Sequence, residues 1–532
     1  MFNTKNLYDQ LLDELKVKRP VYTRLVREFS EMSLEEYIST FRTCSNITEQ
    51  ENVIQSKSDF VNISSLYAQK LYGTQTADKL KKRLENFDCI FTANHTSANL
   101  DHISMQGTIA FALGEKNEDV IPNYTFGNVS LNNSTFPRGL ITGDGVRIPI
   151  FPDSLKNSMV YCTAPFKYSD LVKLLNKAEK LLQNRKLSHK KYQVILKVIN
   201  EIYNNEEILN LDSCSEQLNV INSKLWQLLF QNCTDGYRLS DTVNLEIEPI
   251  AVELIEQDLN NYSSLLYKIL FDTELRENLL NKLSGKYGCW DVRKLNELNY
   301  SLSELDHILS EPEKKLKYKE DRARLKGGCG TVFFWGIDSK GRRVPLILAS
   351  ENGTLFLTGI TDSKDKFTIK YDSDSIINAL KRKKLLPGLF TVFLEIAFVR
   401  NLACCGGFMQ VDYLTVMRDM LSEALLETGH NRWGKIIKKI KTDYLCTGFE
   451  FIFNKADDGN YFPSGTFEIL EKNGFDDIAI EKIKKVTVRE ANLFGMNYIY
   501  NAVFRYNEQK EHLKNLDIIS IFSDELKKTL IL

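Results

Sequence analysis

Residues 86–131 carry the pattern that most limits what this chain can fold into. The apolar run CIFTA at 89–93 precedes the polar stretch NHTSAN, which leads into the helical pattern HISMQGTIAFALGE. A second apolar segment, VIPNYTFGNVSL at 120–131, follows at the distance expected of a β–α–β crossover. The sequence therefore predicts an α/β fold built on a parallel sheet.

The 532 residues divide into several units, since a chain of this length exceeds what one hydrophobic core supports. Leu and Ile recur at three- and four-residue steps in the most helical stretch, 168–210, which favours a long antiparallel helical arm or coiled-coil insertion. We predict an N-terminal helical unit at 1–85, a first core part at 86–167, the arm or insertion at 168–245, a second core part with a hairpin at 246–435, and a C-terminal α/β segment at 436–532.

Charge and hydropathy exclude several classes of protein. The 69 basic and 70 acidic residues leave a formal charge of −1, so no nucleic-acid partner is expected. The run LFTVFLEIAFV at 389–399 is too short to cross a membrane and contains Glu395, so we predict a buried element there. The N-terminus lacks the pattern of a signal peptide and the ten cysteines are scattered, which indicates reduced thiols, no membrane association and a cytoplasmic protein.

The loop at 92–99 is the sharpest candidate site. Its small polar residues stand between a predicted strand and a predicted helix, where the free N–H groups of the helix N-terminus attract phosphate or carboxylate. We predict that His95 and His102 are catalytic and that Asn99 binds the cofactor. The alternative is that Asn99 or Asp101 only caps the helix and that His102 is an ordinary first-turn residue.

The turn at 130–139 is a second candidate. Asn132 and Asn133 can bind a substrate, and Arg138, held between a proline and a glycine, can clamp a carboxylate or phosphate with two hydrogen bonds. We predict a catalytic role for Arg138. An ordinary turn, in which the asparagines bind their own backbone, is the alternative.

The segment at 404–413 is a third candidate. Gly406 and Gly407 allow close approach of the backbone, and Gln410 and Tyr413 supply polar groups for a substrate. We expect this turn to face the first two segments. The alternative for Gly406 is a helix C-cap. No metal site is predicted from the spacing of histidines, cysteines and carboxylates.

A basic, glycine-rich stretch at 321–330 is a candidate nucleotide site. Its side chains and backbone amides can cover the phosphates of a nucleotide, and a surface loop is the alternative reading. The residues that we predict to bind the cofactor here are Arg324, Lys326, Gly327 and Gly328.

Taken in order, these segments resemble the cysteine-adding enzymes of bacillithiol synthesis. The resemblance covers about residues 85–430, and its longest part is LLPGLFTVFLEIAFVRNLACCGGFMQVDYL at 385–414. It implies a Rossmann-like core with a helical coiled-coil arm, and a reaction that joins cysteine to an amino sugar–malate conjugate. The family's glycine–glutamine turn and acidic-histidine cluster are replaced here by residues 94–97 and by Asn132 and Asn133, so we expect a different substrate.

The leading hypothesis is a nucleotide-dependent ligase that uses ATP with Mg²⁺ to join a small-molecule carboxylate to an amine or amino acid. A second hypothesis is transfer of AMP to a protein or small acceptor. It would use His307 and Glu311, one helical turn apart, as an acid/base pair, although a solvent-exposed pair explains them equally. A third hypothesis is a non-catalytic interaction protein that forms a homodimer through its helical arm.

Overall fold

The computed structural model describes residues 4–43, 54–98, 100–115, 119–286, 289, 307–308, 310–316, 333–456, 459–504, 508–514 and 516–532. These ranges have a mixed α/β fold. The strands are β1 (Cys89–Phe91), β2 (Ile121–Thr125), β3 (Gly139–Ile141), β4 (Arg147–Pro149), β5 (Thr242–Glu246), β6 (Phe334–Ile337), β7 (Arg343–Val344), β8 (Ile347–Glu351), β9 (Thr354–Ile360), β10 (Lys366–Lys370), β11 (Leu385–Pro387), β12 (Ala403–Cys405), β13 (Ile452–Lys455), β14 (Tyr461–Pro463) and β15 (Leu530–Ile531).

The helices of the first half are α1 (Thr4–Lys18), α2 (Pro20–Glu28), α3 (Leu34–Thr43), α4 (Ser58–Tyr72), α5 (Thr74–Asn86), α6 (His102–Ala112), α7 (Tyr168–Gln183), α8 (His189–Val198), α9 (Glu206–Leu209), α10 (Cys214–Leu229), α11 (Ile247–Leu259), α12 (Leu265–Phe271) and α13 (Thr273–Leu283). Those of the second half are α14 (Ser373–Lys381), α15 (Leu389–Phe393), α16 (Gln410–Glu427), α17 (Asn431–Lys439), α18 (Thr466–Glu471), α19 (Asp477–Lys485), α20 (Val488–Val503), α21 (Ile518–Ile521) and α22 (Ser523–Leu526). The π-helical turns are Ile199–Tyr203 and Leu394–Val399, and the 3₁₀ turns are Asp153–Leu155, Val160–Cys162 and Glu511–Leu513.

The central sheet has four strands in the order β12–β1–β2–β5, all parallel. Ile90 of β1 is in register with Cys404 of β12, and Tyr124 of β2 lies opposite Leu245 of β5. The predicted β1–α6–β2 crossover and the parallel sheet are therefore confirmed. Because the strands are parallel, their carboxyl ends meet at one edge.

Both faces of the central sheet are buried. Successive side chains of a strand point to opposite faces, so Ile90 and Cys404 lie in one hydrophobic core and Phe91 and Cys405 lie in another. Helices α4, α5 and α11 to α13 contribute to the first core, whereas α1 to α3, α6 and α20 contribute to the second. The N-terminal helices are thus shared between two cores.

Two strands of the central sheet were not expected. The segment at 404–413 is predicted to be a glycine turn, but Ala403–Cys405 at its start forms strand β12 at the edge of the sheet. Strand β5 at Thr242–Glu246 was assigned to the end of the helical arm. A strand of three to five residues shows no periodicity of its own, and its hydrogen bonds depend on partners far away in the chain.

The predicted long helical arm at 168–245 is corrected by the structure. Helices α7, α8 and α10 are 16, 10 and 16 residues long. Their residues Leu174, Ile195 and Leu218 share a core with Ile148 of β4 and Phe467 of α18. The helical character is confirmed, but the Leu and Ile pattern fixes only that each helix has an apolar face. It does not fix which element covers that face.

The predicted hairpin is confirmed at β8–β9, which pair antiparallel. Asn352 and Gly353 join them with φ values of 48° and 79°, the backbone geometry of a tight two-residue turn. The apolar run at 389–399 forms α15 and the π-helical turn, and all of its residues except Leu389 are buried. The prediction of a buried element there is confirmed. Among the described ranges, no helix has the length and apolar character needed to cross a membrane.

Candidate functional site

A cavity of about 670 Å³ opens at the carboxyl edge of the central sheet. The segments that follow β1, β2 and β12 line it, together with the N-terminal turn of α6 and residues 447–450. In open parallel sheets this edge is where ligands bind, because strand ends and helix N-termini leave unpaired backbone groups there. The cavity is our candidate site.

His95 is held rigidly at the end of β1. It pairs with Phe126 beyond the end of β2, and its Nδ1 lies 3.0 Å from Oδ1 of Asn133. The same Oδ1 accepts the backbone N–H of Thr135 at 3.2 Å. A backbone N–H can only donate, so this atom is an acceptor and Nδ1 of His95 carries the proton. Nε2 then holds a lone pair.

Burial favours the neutral form of His95. It lowers the pKa of the imidazole below its ordinary value, although the hydrogen bond that Nδ1 donates to Asn133 opposes this shift. Arg343, which also lines the cavity, lowers the pKa further through its charge. A neutral imidazole with a fixed tautomer is suited to act as a general base.

His102 has the opposite electrostatic environment. It is the first residue of α6, and Asp101 caps this helix by accepting the backbone N–H of Ser104 at 3.0 Å. Its Nε2 lies 3.3 Å from Oε1 of Glu450. Burial lowers the pKa of His102, but the hydrogen bond and charge of Glu450, with help from Asp101, outweigh it and raise the pKa. His102 is therefore suited to act as an acid.

The cap at Asp101 confirms one of the alternatives for this loop. His102 is a first-turn residue, yet it also lines the cavity, so the two interpretations are compatible. One cavity thus contains a histidine whose pKa is lowered and another whose pKa is raised. Pairs of titratable groups whose pKa values are pushed apart are typical of acid/base catalysis.

The cavity carries groups for both signs of charge. The guanidinium of Arg147 lies 5.2 Å from the centre of the Phe136 ring, and that of Arg343 lies 4.7 Å from the Trp335 ring. Both arginines line the cavity. Asp101 is about nine-tenths buried, and its Oδ2 has no hydrogen-bond partner in the described part of the chain. Anionic and cationic groups of a ligand can both be matched here.

The segment at 404–413 reaches the cavity as expected, through Gly407, Gln410 and Tyr413. Nε2 of Gln410 donates to Oγ1 of Thr92 at 2.8 Å and to the carbonyl of Cys404 at 3.2 Å. The hydroxyl of Tyr413 donates to Oε1 of Gln410 at 3.4 Å. The Gln410 amide therefore ties the ends of β1 and β12 together.

Gly406 leaves the space that the Gln410 side chain occupies. A Cβ atom at this position would lie 2.1 Å from the Gln410 side chain, so only glycine leaves room for it. Gly406 follows strand β12 directly and does not end a helix, so the C-cap alternative is wrong. Gly406 itself is not among the residues that line the cavity.

Arg138 lies outside the cavity, which corrects its predicted catalytic role. Its Nε donates to the carbonyl of Phe151 at 3.0 Å, and its guanidinium forms an ion pair with Asp153. These bonds hold the turn against the chain that follows it. Asn132 is exposed and also lies outside the cavity lining, whereas Asn133 reaches the site through His95.

The other predicted residues divide into two groups. His307 and Glu311 are 3.0 Å apart with side chains 63% and 41% exposed, and Lys314 joins them, so the solvent-exposed alternative is confirmed. The remaining predictions lie outside the described residues: Asn99, Arg324, Lys326, Gly327 and Gly328.

Cys404 and Cys405 are poor nucleophiles. Both thiols are buried, and burial raises their pKa well above the ordinary value. Within the part of the chain that the structure describes, no group of three or more histidine, cysteine or acidic side chains is placed to hold a metal ion.

Sequence reasoning missed Arg147, Arg343 and Glu450. Each follows a turn or a short strand in a region without a recognisable motif, and folding brings them to the cavity from three distant segments. Glycine-containing turns at 143–145 and 341 precede the two arginines, and these turns were the available signal. No family model, curated protein or solved structure matches the chain.

Proposed function

We propose that the cavity is the active site of an enzyme that joins an anionic small molecule to an amine. The observation that carries the proposal is the presence, in one cavity, of two histidines whose surroundings shift their pKa values in opposite directions. Both are held by specific partners, Asn133 and Glu450. Proton transfer by such groups contributes about 10²–10⁴-fold to a reaction rate.

The side chains that line the cavity have separate roles in this reaction. Arg147 and Arg343 bind the anionic substrate, and the carboxylate of Asp101 receives the ammonium group of the amine. His95 removes a proton from that ammonium through Nε2, because only a neutral amine has a lone pair with which to attack a carboxyl carbon. The His102 imidazolium donates a hydrogen bond to the oxygen that gains negative charge.

A carboxylate must be activated before an amine can displace its oxygen. In a ligase ATP would supply the activating phosphate or AMP group, and the amide C–N bond would form as the C–O bond to that group breaks and phosphate or AMP leaves. We propose ATP with Mg²⁺ as the cofactor, as the sequence predicts. Magnesium that is bound through the phosphates keeps several waters, so it needs few protein ligands. The two arginines fit the phosphate groups of a nucleotide.

The proposal also includes a Rossmann-like core, a cytoplasmic location and a homodimer. A ligand cavity at the carboxyl edge supports a Rossmann-like core and the resemblance to the bacillithiol enzymes. The eight cysteines among the described residues are free thiols, which supports a cytoplasmic location. Tyr168 and Val172, one turn apart on α7, are 59% and 39% exposed and offer a contact for a homodimer.

Ligand-induced stabilisation tests the proposal. ATP with Mg²⁺ at 100 times its Kd should raise the free energy of unfolding of the wild type by about 2.7 kcal/mol. Arg147→Gln and Arg343→Gln should each lose most of this gain, since each removes a guanidinium from the cavity. Arg24→Gln is the control, because Arg24 is 59% exposed and pairs with Asp443 outside the cavity.

The products then identify the reaction. An amide together with AMP or ADP indicates a ligase, whereas AMP attached to an acceptor indicates nucleotidyl transfer. The absence of any thermal shift with nucleotides, amino acids or carboxylic acids would contradict the enzyme proposal and favour an interaction protein.

A further inference from the structure

The hairpin of β3 and β4 forms one wall of the candidate active site. In the ranges that the structure describes, its two strands pair only with each other, so the central sheet does not hold it. Thr142, Gly143 and Gly145 of its turn line the cavity. Arg147 also lines the cavity, and it pairs with Ile141 directly after the turn. The position of the turn therefore sets where the Arg147 backbone lies, and with it the reach of the guanidinium.

Glu468 of α18 holds this turn from the protein interior. Its carboxylate is fully buried. Oε1 accepts the backbone N–H of Gly143 at 3.0 Å, and Oε2 accepts that of Gly465 at 3.0 Å. A Cβ atom at position 143 would lie 2.6 Å from Oε2, so a larger residue there would push the carboxylate away. These two hydrogen bonds join the turn to the start of α18.

Lys191 of α8 places a cation beside this buried carboxylate. Its Nζ lies 3.1 Å from Oε1 of Glu468 and 2.8 Å from Oδ2 of Asp144 at the tip of the turn. The Lys191 side chain is only 8% exposed. Burial lowers the pKa of Lys191, but the charges of Glu468 and Asp144 outweigh that effect and raise the pKa. One buried ammonium therefore ties the tip of the turn to both α8 and α18.

Removal of this ammonium should loosen the turn and leave the rest of the fold in place. Glu468 would keep its two backbone donors, and the Asp144 side chain is 46% exposed, so its carboxylate can be hydrated. What is lost is the attraction between Lys191 and the tip, which is strong because little water screens the buried ammonium. Methionine fills the space of the lysine stem without the charge.

We propose that Lys191 is a positioning residue of the candidate active site, which fixes the β3–β4 turn so that Arg147 meets an anionic group of the ligand. Among the described residues that line the cavity Lys191 is absent, so it acts through the turn. The inference rests on the proposed function for the role of Arg147. The fixing of the turn itself does not depend on that function.

Hydrogen–deuterium exchange of the unliganded protein tests the fixing of the turn. Lys191→Met should raise the exchange rate at 142–147 at least about fivefold and leave β2 and β5 unchanged, because only the turn loses an attachment. Lys191→Arg, which keeps the charge, should restore most of the protection. The matched control is Lys190→Met at the exposed neighbouring position, which should exchange like the wild type. Unchanged exchange at 142–147, or an equal rise along the whole chain, would overturn the proposal.

A double-mutant cycle tests whether Lys191 acts through Arg147. Lys191→Met should weaken the Kd for ATP with Mg²⁺ about tenfold in the wild type but less than about twofold in Arg147→Gln, since residues that act as one unit are not additive. Equal losses in both backgrounds, or no loss in the wild type, would contradict the positioning role.

The two measurements separate this inference from the proposed function. If wild type does not bind ATP, the proposed function fails, and hydrogen exchange alone decides whether Lys191 fixes the turn. If wild type binds ATP and Lys191→Met leaves both the Kd and the exchange unchanged, the proposed function stands and the role of Lys191 is excluded.

Discussion

Replacing His95 by Gln is expected to lower kcat for ATP-dependent amide formation by about 10²–10⁴-fold, the usual contribution of a general base. Gln cannot accept a proton, but it can still donate a hydrogen bond to Asn133, so the loop should keep its shape. The rise in Tm with ATP and Mg²⁺ should therefore be nearly unchanged. Product formation is followed by chromatographic separation of AMP, ADP and the amide.

A large loss of kcat with unchanged ATP binding is the result that identifies His95 as a base. His512→Gln is the matched control, because His512 is exposed and lies outside the cavity, and its kcat should equal that of the wild type. A His95→Gln enzyme with the turnover of the wild type would exclude His95 as the base. Loss of ATP binding with retained turnover of bound substrate would make it a binding residue.

Replacing Arg400 by Met is expected to lower the free energy of unfolding by about 3–5 kcal/mol, the range for removing one partner of a buried ion pair. The Arg400 side chain is fully buried. It lies 2.8 Å from Asp59 and 3.3 Å from Asp258, and it pairs with Glu395. Burial raises the pKa of Glu395, and Arg400 opposes that rise. Without the guanidinium, the carboxylates of Asp258 and Glu395 are left buried together, and Asp59 is partly exposed beside them.

Urea unfolding of the two proteins measures this loss. The matched control is Arg24→Met, which breaks an exposed ion pair with Asp443 and should cost less than about 1 kcal/mol. If the free energy of unfolding of Arg400→Met lay within about 1 kcal/mol of the wild-type value, the role of Arg400 as the partner of buried carboxylates would be contradicted. It would indicate that the three carboxylates are neutral or hydrated without the arginine.

The fold could be predicted where local patterns decide it. The short apolar runs at 89–93 and 120–131 predicted β1 and β2, and Asn352–Gly353 predicted the β8–β9 turn, because each signal lies within a few neighbouring residues. The short strands Ala403–Cys405 and Thr242–Glu246 could not be predicted in this way. Their existence depends on pairing with β1 and β2 far away in sequence.

Some residues of the candidate site could be predicted from local sequence patterns, and others could not because they reach the cavity through long-range packing. His95 follows β1 and His102 begins α6, so the geometry of a parallel sheet predicts that they meet. Gln410 was expected near them because of the turn at Gly406 and Gly407, although strand β12 was not predicted. Arg147 and Glu450 reach the cavity through the packing of separate hairpins and loops, which no local pattern specifies. Arg138 has the right chemistry for a ligand, but Phe151 and Asp153 already use its hydrogen bonds.

The measurement that tests the central claim most directly is an NMR titration of the imidazole signals in the free protein, assigned with His→Gln variants of the six histidines. His95 should titrate below the ordinary value of about 6.5 and His102 above it. Between those two midpoints, one imidazole of the cavity is neutral and the other is charged. Titration of both near 6.5, or in the reverse order, would contradict the assignment of base and acid.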